Sequence, residues 1–127
     1  MNAFIDSNIL IDYFKGNINA QVFLNKSFNE KDLLLCLGAI QRAEILFFAR
    51  PHEEDQVVEV LANLKCIEVN QKVVDLGAKI YKKWNPSHGI DINDALLAAT
   101  VELNGGILFT LNVKHFPMNN IKITKAY

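Results

Sequence analysis

Short apolar segments alternate along this chain with segments of helical periodicity, and this alternation constrains the fold more than any other feature of the sequence. Five segments have the length of strands, at residues 3–5, 33–37, 66–69, 107–110 and 121–124. They lack the regular polar face that a solvent-exposed antiparallel strand carries. Strands of this kind, separated by helices, predict an α/β fold in which helices cover both faces of a parallel sheet.

Helices are predicted in the intervening segments. Ser7 is expected to cap the first helix, which runs to a stop at Gly16, and apolar residues from Val22 to Phe28 predict a second. Further helices are predicted at residues 39–49, 52–64, 71–84 and 94–103, with a loop at residues 85–89. The residues expected to face the core from the helices at 52–64 and 71–84 are Val57, Val58, Val60, Leu61, Leu64, Val73, Val74, Leu76, Ile80 and Tyr81.

Composition narrows the class of protein. The 127 residues are 50% hydrophobic, enough for one domain, residues 1–127, to build a core without disulfides or a structural metal. The 13 basic and 14 acidic side chains argue against an indiscriminate polyanion binder, although not against a nucleic-acid enzyme with an acidic active site. No apolar run approaches the ~18 residues that span a bilayer, and no export signal is recognised, so we expect a cytoplasmic protein without membrane contact.

The two cysteines are expected to be small core residues. Cys36 lies within an apolar run and Cys66 begins another. Neither belongs to a Cys-x-x-Cys pair or a Cys/His cluster, so the sequence does not indicate a zinc site.

Three acidic residues stand at unusual places relative to these elements. Asp6 directly follows an apolar strand, Glu44 lies within an apolar helix, and Asp94 opens an alanine-rich helix. The carboxyl ends of parallel strands and the adjoining helix N-termini meet at one edge of a sheet, where ligands bind. Carboxylates gathered there repel one another, and a hard divalent cation such as Mg²⁺ or Mn²⁺ offsets that repulsion.

Each acid also has a plain structural explanation. Asp6 and Asp94 suit helix N-termini, and Glu44 suits a solvated helix face. Two other phosphate-handling classes fit the pattern less well. A haloacid-dehalogenase-like phosphatase needs a second Asp at position 8, where this chain has Asn8, and a receiver-like module needs an acidic pair early in the chain that Asp6 lacks.

Four motifs in order resemble those of PIN-domain ribonucleases, in particular the VapC-type toxins of toxin–antitoxin pairs. They are Phe-Ile-Asp-Ser-Asn-Ile-Leu-Ile-Asp-Tyr-Phe at 4–14, Ala-Glu-Ile-Leu at 43–46, Ile-Asn-Asp-Ala-Leu-Leu-Ala-Ala-Thr at 92–100, and Leu-Phe-Thr-Leu-Asn-Val-Lys-His-Phe at 108–116. The resemblance spans nearly the whole chain. It implies a three-layer α/β/α sandwich around a central, mainly parallel sheet of four to five strands.

The resemblance also implies the site residues. Asp6, Glu44 and Asp94 are the expected catalytic acids and ligands of Mg²⁺ or Mn²⁺, and the fourth position falls on Asn112. Asn112 brings no negative charge, which favours one strongly held ion over two. Further contacts to these groups or to substrate are expected from Ser7, Asn8, Asp91, Thr110 and His115.

The implied activity is Mg²⁺-dependent hydrolysis of RNA phosphodiesters by the toxin of a type II toxin–antitoxin pair. Its implied partners are an RNA substrate, a cognate antitoxin that covers the active-site cleft, and a second copy in a homodimer. Because Asn112 replaces an acid, a catalytically weak PIN domain that only binds a protein partner remains an alternative, as does another metal-dependent phosphohydrolase. The basic segment from Lys79 to Trp84 is interpreted as a solvated helix face with a core Trp in preference to an RNA site.

Overall fold

The computed structural model describes residues Met1 to Tyr127, and its centre is a sheet of five parallel strands. The strands are β1 (Asn2–Ile5), β2 (Leu34–Gly38), β3 (Lys65–Ile67), β4 (Ile107–Thr110) and β5 (Lys122–Lys125). Their order in the sheet is β3-β2-β1-β4-β5, and every neighbouring pair is parallel. The predicted parallel sheet is confirmed, with β1 as its central strand.

Six α-helices connect the strands. They are α1 (Ser7–Phe14), α2 (Ile18–Phe28), α3 (Ala39–Phe48), α4 (Glu54–Leu61), α5 (Gln71–His88) and α6 (Ile92–Asn104), with single 3₁₀ turns at Pro51–Glu53 and Val113–His115. No helix is both long and apolar enough to span a membrane.

Alternate strand residues enter two separate cores. On one face of the sheet, Phe4, Cys36 and Leu108 pack with α5 and α6, whereas on the other face Ile5 and Leu37 pack with α1 to α4. Successive side chains of a strand point to opposite faces, so every central strand must be apolar on both sides. This arrangement is the predicted three-layer α/β/α sandwich.

Two predicted helix boundaries are wrong, at the start of α1 and at the end of α5. Ser7 is the first residue of α1, and Asp6 is the residue that caps it, because the Asp6 carboxylate accepts a hydrogen bond from the Ser7 N–H. The predicted loop at 85–89 is the last turn of α5, which continues through Pro86 and ends at Gly89 with φ of 63°. Pro86 removes one backbone donor, and the Asn85 amide stabilises this turn by donating to the Ile90 carbonyl.

Some predicted core residues lie at the surface. Cys36 is buried as expected, but Cys66 is exposed because β3 is an edge strand. Val58 and Val74 are 53% and 48% exposed. The helices that carry them bury only part of the apolar face that the sequence pattern predicts. In α2, Ala20, Leu24 and Ser27 are the buried residues, while Val22 and Phe28 are exposed. The other strand and helix limits differ from the predictions by a few residues.

Gly106, directly before β4, lies where the backbones of β1 and β4 approach closely. Its φ is 127°, and a Cβ there would fall on the backbone oxygen of Asn2. Gly16 also has a positive φ, of 84°, but open space around it. We expect Gly16→Ala to cost roughly 1 kcal/mol of unfolding free energy and Gly106→Ala ~2 kcal/mol more, measured by urea denaturation. Equal losses in the two variants would contradict the close approach.

Candidate active site

Asp6 occupies the carboxyl end of the central strand and is almost fully buried, with 6% of its surface exposed. Its Oδ1 accepts a hydrogen bond from the Ser7 N–H at 2.8 Å, and its Oδ2 accepts one from the Thr110 hydroxyl at 2.8 Å. Burial raises the pKa of Asp6 above its ordinary value, and these two hydrogen bonds oppose the increase. The carboxylate is therefore held in place by α1 and by the end of β4.

Glu44 reaches the same region from α3. The Ser7 hydroxyl donates to Glu44 Oε1 at 3.2 Å, so Ser7 contacts both acids, one through its backbone and one through its side chain. Burial raises the pKa of Glu44, and the negative charge of Asp6 adds to the increase, while the Ser7 hydroxyl and the nearby Asn93 amide oppose it.

Asp91 and Asp94 form a capping box at the start of α6. Asp91 Oδ1 accepts from the Asp94 N–H at 2.7 Å, and the Asp91 N–H donates to Asp94 Oδ2 at 3.3 Å. Burial and then the adjacent Asp91 charge raise the pKa of Asp94 to about 6. The prediction that Asp94 opens the helix is corrected here, because Asp91 caps α6 and Asp94 lies in its first turn.

His115 is the basic side chain that reaches these acids. Its Nδ1 lies 3.2 Å from Asp94 Oδ2, and its proximity opposes the increase in the pKa of both Asp94 and Asp6. No Lys or Arg side chain forms an ion pair with any of the four carboxylates. The site is therefore an acidic cluster with a single neighbouring imidazole.

The remaining predicted residues differ in their relation to the cluster. Thr110 donates directly to Asp6. Asn112 is exposed, and its backbone N–H donates to the Thr110 hydroxyl oxygen at 3.1 Å, but its side chain forms no hydrogen bond. Asn8 is also exposed and forms no side-chain hydrogen bond. Direct roles for Asn112 and Asn8 stay predictions.

Two neighbours of the cluster were missed by the sequence reasoning. Gln41 is 2% exposed, and its Nε2 donates to the Asn93 carbonyl at 3.5 Å, which connects α3 to α6. Asn93 in turn lies beside Glu44. The sequence feature that could have identified Gln41 is its spacing from Glu44, because residues three apart share one side of a helix, and this helix is otherwise largely apolar.

The donor chemistry of the cluster fits a hydrated hard cation. No three His, Cys, Asp or Glu side chains are arranged so that they enclose a metal ion by themselves. Mg²⁺ commonly binds one or two carboxylates and keeps several waters, so it does not require such an enclosure. The mutually repelling carboxylates of Asp6, Glu44 and Asp94, without a Lys or Arg partner, supply suitable oxygen ligands.

Comparison with known proteins decides the family. Residues 3–117 match the model of the PIN domain. The chain belongs to the PIN domain family. The resemblance deduced from the four motifs is thereby confirmed.

Named relatives and solved structures of other proteins are similar to this PIN domain. It is 30% identical to Ribonuclease VapC10 of Mycobacterium tuberculosis, over 90% of this chain and 85% of the relative, and 30% identical to Ribonuclease VapC19 of the same organism, over 90% and 91%. A toxin–antitoxin complex from Klebsiella pneumoniae shares the fold with a TM-score of 0.81, at 24% identity over 98% of each chain. VapBC2 from Rickettsia felis, bound to a promoter DNA fragment, gives 0.78 at 19% identity over 98% of each chain.

The repulsion within the cluster predicts that one of its acids destabilises the metal-free protein. Asp94→Asn keeps an oxygen that can accept from the Asp91 N–H but removes a charge that is repelled by Asp91. We expect the variant to gain on the order of 1 kcal/mol of unfolding free energy at neutral pH in EDTA. Thermal denaturation measures this, with Asp75→Asn on the exposed face of α5 as the matched control. A loss of stability in Asp94→Asn alone would contradict the repulsion.

Proposed function

We propose that this PIN domain is a Mg²⁺-dependent endoribonuclease and the toxin of a type II toxin–antitoxin pair, acting in the cytoplasm. The observation that carries the proposal is the convergence of Asp6, Glu44 and Asp94 at one edge of the sheet, each with a raised pKa and none paired with Lys or Arg. Such a cluster is poorly suited to stability and well suited to binding a cation. The ribonuclease names of two relatives support the choice of RNA as substrate.

Asp6 and Asp94 are the proposed metal ligands, with Glu44 at or next to the ion. When bound, Mg²⁺ or Mn²⁺ offsets charge on the scissile phosphate and lowers the pKa of a coordinated water. Asp6 already accepts one hydrogen bond on each oxygen, from Ser7 and Thr110, so its carboxylate is fixed before any ligand arrives.

Glu44 is the proposed proton acceptor. Burial and the neighbouring Asp6 charge raise its pKa, which brings a carboxylate closer to the basicity that accepting a proton from water requires. The Ser7 hydroxyl orients it, while Asp91 and His115 hold Asp94 from two sides. Asn112 remains the proposed outer contact at the fourth family position.

Conservative substitutions test the assignment. We expect Asp6→Asn and Asp94→Asn to reduce Mg²⁺-dependent cleavage of total RNA at least ~100-fold, and Glu44→Gln to reduce it by a factor of roughly 10² to 10⁴. EDTA should abolish cleavage by the unsubstituted protein, and Asp75→Asn should cleave normally. Circular dichroism verifies that each variant is folded.

Two results would contradict the proposal. Full activity in either aspartate variant would remove the metal-ligand assignment. Absence of cleavage with both Mg²⁺ and Mn²⁺, on RNAs of every cellular class, would instead support the alternative of a PIN domain that only binds a partner.

The proposed protein partner is the cognate antitoxin, with a homodimer as the further predicted assembly. Phe47 and Phe48, in the last turn of α3, are 81% and 78% exposed. Phe48 lines a cavity of about 610 Å³ together with Ile11, Phe14 and Val57. Exposed aromatic residues beside an apolar cavity are typical of protein-binding surfaces. One solved structure with this fold is described as a toxin–antitoxin complex, and another as a member of the VapBC family of toxin–antitoxin systems.

The exposed phenylalanines predict where the antitoxin binds. We expect Phe48→Ala to weaken its complex with the protein encoded by the adjacent gene about tenfold or more, because aromatic anchors dominate interface energies. Isothermal titration calorimetry measures the affinity, and Ile18→Ala, at a 66% exposed residue of α2, is the matched control. Equal affinity in the two variants would place the antitoxin elsewhere, and light scattering of the chain alone tests the homodimer.

A further inference from the structure

An open cleft lies beside the acidic cluster, between the end of α5 and the start of α6. Its volume is about 400 Å³, within the ~300–1,000 Å³ typical of small-molecule sites. It is lined by Tyr81 and Asn85 from α5 and by Asp91, Ile92 and Asn93 from the start of α6. The proposed hydrolysis assigns no task to Tyr81, Asn85 or Ile92.

Two lining residues make the cleft continuous with the acidic cluster. Asp91 accepts from the Asp94 N–H at 2.7 Å. Asn93 lies beside Glu44, and its carbonyl accepts from Gln41 of α3. A group in the cleft would therefore be a direct neighbour of a phosphate bound at the acidic cluster through the proposed cation.

The charge of the lining excludes phosphate as the occupant. The cleft has no Lys or Arg in its lining, and its one ionised side chain is Asp91. A phosphate would be repelled by this carboxylate, whereas an uncharged group that donates hydrogen bonds would be attracted to it.

The shape and polarity of the lining suit a flat ring with a polar edge. Ile92 is 62% exposed although it opens a helix that is mostly buried, and the half-buried Tyr81 ring adds a second apolar surface. Asp91 Oδ2 and the Tyr81 hydroxyl form no hydrogen bond within the protein, so both are free to bind a ligand. The Asn85 amide donates to the Ile90 carbonyl at 2.9 Å and fixes the backbone beneath them.

We propose that this cleft binds a nucleobase of the RNA next to the cleaved phosphodiester and prefers bases that carry an exocyclic amino group. The inference rests on the proposed ribonuclease function and names a determinant of its sequence preference. Unpaired bases are bound in proteins by stacking on side chains and by hydrogen bonds to their edges. Adenine, guanine and cytosine have an amino group to donate to Asp91, and uracil has none.

The first experiment does not depend on cleavage. The ¹⁵N-labelled protein in EDTA is titrated with adenosine, guanosine, cytidine, uridine and ribose, and backbone amide shifts are followed by NMR. We expect the three amino-bearing nucleosides to shift Tyr81, Ile92 and Asn93, uridine to shift them least, and ribose not at all. Shifts of equal size with ribose, equal affinity for uridine, or no shifts at these residues would overturn the proposal.

The second experiment reads base preference directly. Cleavage positions in an RNA pool of random sequence are compared for the unsubstituted protein, Ile92→Ala, and Leu103→Ala, an exposed apolar residue at the other end of α6. We expect Ile92→Ala to lose about tenfold of the preference at one nucleotide flanking the cut, because it removes the apolar surface on which the base would pack. An unchanged profile, equal to that of Leu103→Ala, would overturn the proposal. Absence of any cleavage would refute the ribonuclease function, and the nucleoside titration would still show whether the cleft binds a base.

Discussion

The burial of the Asp6 carboxylate is the constraint on which the rest of the site depends. Asp6 is the one acidic or basic residue among the buried residues, and an uncompensated charge there would cost several kcal/mol. Ser7 and Thr110 each donate to one of its oxygens, and its own N–H donates to the Phe109 carbonyl at 3.0 Å. These bonds fix the end of β1 against β4 and set the start of α1.

The site consists of two hydrogen-bonded groups, and both contain carboxylates that repel those of the other group. Thr110, Asp6, Ser7 and Glu44 form one series of contacts, while His115, Asp94 and Asp91 form the other. Hydrogen bonds hold each group in place, yet the carboxylates of one raise the pKa values of the other. A rigid frame of this kind holds its charges apart without neutralising them, which is the property that a cation-dependent enzyme requires.

The parallel sheet and the proximity of Asp6, Glu44 and Asp94 were predictable from the sequence, because parallel topology brings strand ends and helix starts to one edge. The finer contacts were not. Asp6 and Ser7 are both good capping residues, and only the backbone angles distinguish them. Cys66 appeared to be a core residue because the pattern does not reveal which strand lies at the edge. The contact of His115 with Asp94 depends on the path of the turn after β4, which no periodicity records.

The order of the strands has a consequence for protein synthesis. The central strand β1 leaves the ribosome first, whereas its partner β4 follows about a hundred residues later, as the separation of 104 residues between Asp6 and Thr110 shows. Contacts so distant in sequence form late in folding. A nascent chain whose β4 has not yet emerged therefore contains every acidic side chain of the site, but lacks the Thr110 hydroxyl that donates to Asp6 and the His115 ring beside Asp94. Assembly of the site waits for the last part of the fold, so incomplete translation products lack it.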